Sequence, residues 1–344
     1  MRAARLIPFL LLIASTTGVE EVMAQGQWDV GFTVGMANYM GDIGDGISSR
    51  RDFIWDMQEF RSRPAFGVYA RRKLDRDGLW HIRTDLSRIH ISGSDKDTKY
   101  APRRARNLHF RNHMTEGSIR LERDLLQKPL VWARQRRAML TVRGFIGLAR
   151  LSHNPEARID VNNELYGAFS EGDQDRWHSL PELMTEGVDY QDQLLINTVP
   201  FGLSAIVTGQ KKGGAADFYL GIEIGFRMTD TDYLDDISGF YADPSEMSSL
   251  LAAALSSQAN PTDLALANGD DPNQPAGSMT AHSYIGDEIP VIRGNPANTD
   301  SYGTLVITYG KVLNGRSQSF NRSRSTYGNK KGGGLFRKST RIKF

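Results

Sequence analysis

Strict alternation of apolar and polar side chains is the feature that most limits the fold of this chain. From Phe218 to Met228 every second side chain is large and apolar. The residues between them are Tyr219, Gly221, Glu223, Gly225 and Arg227. Successive side chains of an extended strand point to opposite faces, so one face here suits lipid and the other suits water. Because about ten residues suffice for a tilted strand to cross a bilayer, the segment predicts a wall strand of an outer-membrane β-barrel.

The N-terminus predicts export. Arg2 and Arg5 precede the short apolar run Leu6–Ala14, and Val22-Met23-Ala24 ends in small residues that suit signal peptidase. We therefore expect residues 1–24 to be a cleaved Sec-type signal peptide. A soluble periplasmic protein remains an alternative until the strands are counted.

Composition narrows the function classes. The 344-residue chain has a formal net charge of +2 and no cysteine. This balanced charge does not indicate nucleic-acid binding. An exported chain without disulfides must take its stability from a large core or a closed hydrogen-bond network.

Seven further segments show alternation, and with the first they predict eight strands, an even number, as expected of a bacterial barrel. The predicted strands are 28–39, 65–74, 79–91, 114–125, 138–151, 198–208, 218–228 and 302–313. The links between them alternate between long and short, which matches long extracellular loops and short periplasmic turns. The long links are 41–64, 92–111, 152–197 and 229–301, and the short ones are 75–78, 127–137 and 209–217. The predicted fold is an eight-stranded antiparallel up-and-down transmembrane barrel over residues 25–313.

The inward faces of these strands carry charge of both signs. An eight-stranded barrel is just wide enough for its own side chains to fill, so these charges must pair inside it. We expect a structural plug, with a proton or ion path as the alternative. The predicted lumen charges are Asp29, Arg71, Arg83, Asp85, Arg120, Glu122, Arg143, Glu223 and Arg227. Aromatic residues near strand ends are predicted to anchor the barrel at the membrane interfaces; they are Trp28, Tyr39, Trp80 and Phe218.

The loop that follows the seventh strand crowds four carboxylates into Thr229–Tyr241. Clustered carboxylates suit hard cations, but the spacing lacks the glycine and the distal glutamate of an EF-hand loop. We therefore expect Asp232, Asp235 and Asp236 to cap turns or pair with strand-end arginines. Tyr233 and Leu234 are expected to pack over the barrel mouth. No metal, cofactor or catalytic site is predicted.

Two further segments are distinctive. Residues 245–255 have the spacing of a short amphipathic helix, and the irregular stretch 260–296 follows it. Residues 314–344 form a basic tail without acidic residues, which is either a disordered extension or an arm that docks on an acidic periplasmic partner or lipid headgroups. Its candidate docking residues are Arg322, Arg324, Lys330, Lys331, Arg337, Lys338 and Arg341.

Several short strings resemble a known family. The string Thr-Asp-Tyr-Leu-Asp-Asp-Ile-Ser at 231–238 is the most specific, and Asn-Tyr-Met-Gly-Asp-Ile-Gly at 38–44 and Arg-Pro-Ala-Phe-Gly-Val-Tyr at 63–69 support it. Thr185-Glu186-Gly187 and the segment 200–203 are weaker landmarks. In this order they resemble the PorG-type outer-membrane proteins of the Bacteroidetes type IX secretion system.

The resemblance implies a non-enzymatic barrel that anchors a periplasmic ring, built of a PorK-like lipoprotein and a PorN-like protein, to the outer membrane. The segment 245–296 and the basic tail depart from the family pattern as we know it. They leave the partner surface open.

Two other function classes remain as alternatives. A lipid hydrolase would need a nucleophile and a base at the outer rim, and Ser87, Ser92 and Ser152 lie near histidines in sequence, but no Gly-x-Ser-x-Gly elbow occurs. A surface adhesin or ligand-binding barrel would act through the long loops. Such a barrel would bind without a periplasmic partner.

Overall fold

A computed structural model describes residues 28–44, 57–75, 78–98, 101–132, 136–163, 165–210, 216–243, 246–259, 293–295 and 299–313. The predicted signal peptide at 1–24, the basic tail at 314–344 and most of the irregular stretch 260–296 lie outside the described residues.

Within the described residues, ten strands form one antiparallel sheet. They are β1 Trp28–Met40, β2 Arg63–Lys73, β3 Trp80–Ser94, β4 His109–Trp132, β5 Arg136–Ser152, β6 Pro155–Ala157, β7 His178–Ser179, β8 Leu195–Gln210, β9 Ala216–Thr229 and β10 Ser301–Leu313. Eight of them form a ring in which each strand pairs with its neighbour along the chain and β1 pairs with β10. The predicted eight-stranded antiparallel barrel is confirmed. The two short strands β6 and β7 extend the sheet beside the beginning of β4, at Arg111 and Asn112.

The outside of the ring is apolar. On β1, the outward side chains of Trp28, Val30, Phe32, Val34 and Met36 are 38% to 49% exposed. The inward Asp29 and Thr33 are buried. The other long strands repeat this arrangement, so the exposed apolar side chains form a continuous belt that is far larger than soluble proteins tolerate. A closed sheet with such a belt satisfies its backbone without water and suits a bilayer.

Small residues let the wall approach large lumen side chains. An added Cβ on Gly31 would lie 2.7 Å from the Tyr69 ring, and one on Gly310 would lie 2.1 Å from the Tyr69 hydroxyl. Both glycines therefore make room for this tyrosine beside the seam between β1 and β10. The pairing of large with small residues is typical of small barrels whose side chains fill the interior.

The strands differ from their predicted bounds mainly at β4 and β5. The link predicted at 127–137 is wrong, because β4 continues to Trp132 and β5 already begins at Arg136. Pro129 lies within β4 although proline cannot donate to a sheet, and it pairs in register with Met139.

Short helices occupy the long links. They are α1 Ala101–Arg106, α2 Glu171–Gln174 and α3 Leu250–Ser256. Helix α3 was predicted to begin at Ser245, but it begins at Leu250 because Ser249 caps it, its side chain accepting the Ala252 N–H at 3.1 Å. Within the described part of the chain, no helix has the length and apolar character needed to cross a bilayer.

An apolar cluster closes the end of the barrel that carries the long links, which we call the outer end. Inward side chains such as Ile91, Phe110 and Met114 meet Leu234 and Ile237 from the link after β9, and all five are almost completely buried. Polar side chains therefore fill the lumen at membrane depth, whereas apolar packing seals it above.

Candidate functional site

The lumen network comprises five arginines and six carboxylates that pair with one another. They are Arg71, Arg83, Arg120, Arg143 and Arg227 with Asp29, Asp85, Glu116, Glu122, Asp124 and Glu223. Each projects from an inward position of its strand. The network forms three tiers along the barrel axis.

The tier nearest the short turns centres on Glu122 of β4. Its Oε2 lies 3.0 Å from Arg143 Nη1 and 3.4 Å from Arg71 Nη1. Arg71 Nε also lies 3.0 Å from Asp29 Oδ2, which joins β1 to β2. Removing any member would leave a partner charge buried without compensation.

The middle tier centres on Glu223 of β9. It accepts from Arg83 Nη1 at 3.0 Å and from Arg120 Nη1 at 2.6 Å. Asp85 completes the tier, 2.6 Å from Arg83 Nη2 and 3.1 Å from Arg120 Nη2. These bonds cross the barrel, since β3 and β4 do not adjoin β9 in the sheet.

The outermost tier joins β4, β9 and β10. Glu116 Oε2 accepts from the Tyr302 hydroxyl at 2.6 Å and lies 3.4 Å from Arg227 Nε. Arg227 also donates to the Thr304 hydroxyl. This tier lies directly beneath the apolar cluster.

Aromatic rings insulate the arginines. The guanidinium of Arg83 lies 3.9 Å from the Tyr69 ring centroid, and that of Arg120 lies 4.4 Å from the Phe145 centroid. Such contacts favour cations that are removed from water. A void of about 20 Å³ remains beside Arg83, Arg120 and Glu223, which is room for about one water molecule. Paired side chains therefore occupy the lumen at all three tiers.

A second polar group, the mouth cluster, lies above the apolar cluster. It contains Tyr39, Asp235, Asp300, Asp236, Thr185, Tyr190 and Arg293. The Tyr39 hydroxyl lies 2.6 Å from Asp235 Oδ2 and 2.5 Å from Asp300 Oδ1, and it accepts the Asp42 N–H at 3.0 Å.

The geometry around Tyr39 requires that one of its two neighbouring carboxyl groups carries a proton. Its hydroxyl carries one hydrogen and can donate to one carboxylate only. The other carboxyl must therefore donate its own proton to the tyrosine oxygen. Burial, and the mutual proximity of the carboxyl groups, raise the pKa of both Asp235 and Asp300 well above the ordinary value.

Asp236 points to the opposite side from Asp235, because its backbone adopts the left-handed conformation with φ +70°. It accepts from the hydroxyls of Thr185 and Tyr190 and lies 3.2 Å from Arg293 Nη2. Burial raises the pKa of Asp236 to about 6, although Arg293 and the two hydroxyls act in the other direction. The cluster therefore ties the link after β9 to the link between β7 and β8.

The structure places every predicted lumen residue within the lumen network. Sequence reasoning missed Glu116 and Asp124, although both continue the alternation of Ser118, Arg120 and Glu122 along β4. Of the predicted loop motif, Asp235 and Asp236 join the mouth cluster. Tyr233 stacks on Tyr190, with ring centroids 4.2 Å apart. Asp232 is also buried.

The prediction that Tyr39 anchors the barrel at the membrane interface is wrong. It is buried and points inward, as the parity of β1 requires, because Asp29 and Thr33 share its face. Trp28, Trp80 and Phe218 do face outward near strand ends. The predicted pairing of the loop aspartates also differs in detail, since the partner of Asp236 is the loop residue Arg293 rather than a strand-end arginine.

One of the three serines considered for a hydrolase, Ser92, forms hydrogen bonds with arginine residues. The Ser92 hydroxyl accepts from Arg63 Nε at 2.8 Å and donates to the Arg61 carbonyl. The neighbouring His90 packs edge-on against His113, with ring centroids 4.3 Å apart. This arrangement pairs neither histidine with Ser92.

The comparisons with known proteins give a partial family match and distant structural matches. A family described as "Domain of unknown function (DUF6089)" matches residues 4–154. No curated protein sequence matches the chain.

Solved structures similar to this chain include two of Ail, the attachment invasion locus protein of Yersinia pestis. One is in complex with the heparin analogue sucrose octasulfate. The TM-scores are 0.29 and 0.24, each at 6% identity over 84% of this chain and 97% of the Ail chain. The ring of strands, the outward apolar belt and the paired lumen charges make this chain an eight-stranded β-barrel of the outer-membrane type.

Proposed function

We propose that this protein is a structural, non-conducting barrel that holds periplasmic components of a protein-secretion machine, of the type IX class, at the outer membrane. The observation that carries the proposal is the sealed interior. Charges pair across the lumen, and an apolar cluster lies above them. We therefore assign the function to the surfaces of the barrel and not to its axis. No catalytic step is part of this role.

The strings that resemble the PorG-type family support the proposal. Within the string at 231–238, Leu234 and Ile237 seal the mouth, and Asp235 and Asp236 bind residues of distant links. The role of this string is thus to close the barrel. Partner contacts are assigned to other segments of the chain.

Those contacts are assigned to the periplasmic side. The proposed partners are periplasmic ring proteins, a PorK-like lipoprotein and a PorN-like protein, and the proposed docking arm is the basic tail at 314–344. Its seven candidate cations would attract an acidic partner surface. The proposal includes Sec-type export, removal of residues 1–24 and insertion in the outer membrane of a Bacteroidetes bacterium.

Planar-bilayer recording of the purified full chain tests the sealed interior. We expect no steady open-channel current, because the lumen arginines and carboxylates occupy the axis. A persistent ohmic current from the wild-type protein would contradict a plug and favour an ion path. The variant Arg120→Ala with Glu223→Ala serves as the comparison, since it removes the middle tier and is expected to leak.

Affinity purification from the native envelope tests the secretion role. We expect the full chain to recover periplasmic ring proteins after detergent extraction. A variant with the seven tail cations replaced by glutamine should lose them. The matched control changes Ser317, Ser319 and Ser323 to alanine in the same tail and should retain them. Recovery of the barrel alone from wild-type envelopes would remove the secretion assignment.

A surface adhesin is the second candidate, and exposed aromatic residues on the outer links favour it. Phe60 is 98% exposed and Phe240 is 49% exposed, and neither faces the membrane belt. An adhesin would keep its binding activity as a purified barrel without periplasmic partners. Loss of that binding in Phe60→Ser with Phe240→Ser, beside intact ring-protein recovery, would separate the two functions.

A further inference from the structure

A basic pocket lies on the outer wall of the barrel, above the apolar belt. Its volume is about 510 Å³, within the range of ligand sites. The ends of β2, β3 and β4 form its floor, and the link between β6 and β7 overhangs it. The cations that line it are Arg61, Arg63, Lys96, Arg111 and Arg158.

Carboxylates neutralise only part of this charge. Arg61 pairs with Asp97, Lys96 with Asp160 and Arg111 with Glu156. Within the described residues, Arg63 and Arg158 have no carboxylate in ion-pair range. Arg63 instead donates to Ser92, and the Arg158 guanidinium lies 5.7 Å from the Trp177 ring centroid. Two positive charges therefore remain for an anion.

Trp177 and His109 shape one wall of the pocket. Their rings meet edge-on with centroids 5.8 Å apart, and Arg111 lies 4.2 Å from the tryptophan centroid. Both ring nitrogens of His109 are shielded from solvent and have no hydrogen-bond partner in the described part of the chain. A neutral imidazole offers one donor and one acceptor. A sugar hydroxyl both donates and accepts, which is the hydrogen-bonding chemistry that these two nitrogens lack.

The pocket lies at the height of lipid headgroups. On β3 the exposed apolar side chains end at Leu86, and the next outward residues are Arg88 and His90. His90 is four residues beyond Leu86, which is about 13 Å along the strand and less along the membrane normal because barrel strands tilt. The pocket thus lies where the apolar belt has ended and the polar interfacial layer of a bilayer begins. A Trp side chain at this level is typical of the interface.

We propose that this pocket binds the phosphorylated sugar headgroup of a glycolipid in the outer leaflet of the outer membrane. The sugar phosphate lies against Arg63 and Arg158, and the sugar hydroxyls face His109 and Trp177. The acyl chains run down the apolar belt over Phe66 and Leu86. This site is independent of the secretion role and of the sealed lumen.

Native mass spectrometry of the full chain in detergent tests the site, with diphosphoryl lipid A as the probe. We expect wild-type protein to retain the lipid and Arg63→Gln with Arg158→Gln to bind it roughly a hundredfold more weakly, since each of the two lost charged hydrogen bonds is worth a factor of about ten. The control is Arg72→Gln with Arg123→Gln, which makes the same charge change near the opposite end of the barrel. It should bind within about twofold of wild type.

Three outcomes would overturn the proposal. The first is equal binding by wild type and the pocket variant. The second is displacement of lipid A by an equal concentration of inorganic phosphate, which would identify a free-anion site. The third is capture of a heparin oligosaccharide without lipid A, which would favour a surface glycan.

Trp177→Leu, which keeps every charge, should also weaken lipid A binding while circular dichroism reports an intact barrel.

Discussion

Tyr39 near the outer end of β1 and Asp235 in the link after β9 are 196 residues apart in the chain, yet their side-chain oxygens lie 2.6 Å apart. The same tyrosine oxygen lies 2.5 Å from Asp300, which directly precedes β10. One hydroxyl thus holds the longest link of the barrel against its first strand. The shared proton between the two carboxyl groups makes this contact sensitive to both substitution and pH.

Replacing Tyr39 with phenylalanine should destabilise the protein by about 1–3 kcal/mol, because two buried carboxyl groups lose their common partner. Urea unfolding of the purified protein, followed by circular dichroism, measures the change. Tyr309→Phe makes the same chemical change on the half-exposed outer face, and it should alter stability by less than about 0.5 kcal/mol. Equal effects of the two substitutions would contradict the bridging role of Tyr39.

The mouth cluster should lose stability as pH rises from about 4 to about 6. The folded pKa of Asp236 is about 6, above the ordinary value of about 3.9 for an unfolded chain. Between these values the folded state binds more protons than the unfolded state. The free energy of unfolding therefore falls with rising pH, by as much as about 3 kcal/mol, and becomes flat above the folded pKa.

The variant Asp236→Asn isolates this group, because its amide does not titrate while the other carboxyls still do. Urea unfolding at pH 5 and pH 7.5 should show a smaller decrease in the variant than in the wild type. Identical decreases would mean that Asp236 is ionised throughout this range.

Replacing Arg120 with methionine should cost about 3–5 kcal/mol, since Glu223 and Asp85 would lose a buried partner. The exposed pair Arg61 with Asp97 provides the comparison, and Arg61→Met should cost at most about 1 kcal/mol. Unfolding free energies in urea measure both. The double variant Arg120→Met with Glu223→Leu should cost less than the sum of its single variants, and strict additivity would argue against their direct bond.

The apolar belt predicts a depth-dependent response to charge. Ile222→Arg, near the middle of β9, should destabilise the protein in lipid vesicles by about 2–4 kcal/mol. Phe218→Arg, four residues nearer the strand end, should cost about 0–1 kcal/mol. Both residues face outward. Equal costs at the two depths would show that this face does not span a membrane.

The sequence predicts the wall better than the mouth, and the reason is periodicity. Alternation assigns each strand residue to one face, so Arg71, Glu122 and Glu223 are found as lumen residues without any structure. The same rule places Tyr39 on the inner face. It was assigned to the membrane interface because it is aromatic, although its position in the alternation of β1 already required an inward side chain. Partners across the lumen, such as Arg120 and Glu223, depend on barrel curvature, which alternation does not encode.

The links show no regular alternation of side chains from which their contacts could be predicted. Thr185 and Arg293 bond to Asp236, and Tyr39 joins Asp235 to Asp300, yet nothing in the local sequences specifies these partners. The extended hairpin of β4 and β5 was missed for a different reason. The alternation of β4 breaks at Leu125 and Leu126, where the pairing with β5 shifts, yet the two strands stay paired beyond the shift as far as Trp132 and Arg136.

The seam between the first and last strands explains why the mouth cluster has its particular members. Tyr39 pairs with Tyr302 across that seam, and Asp300 lies just before the strand that completes it. The tyrosine can reach both aspartates only after the final hairpin has docked on the first. The barrel therefore closes and the link after β9 is fixed over its mouth in the same step. In a protein whose first and last strands have not yet paired, this link stays free and accessible to proteases of the envelope.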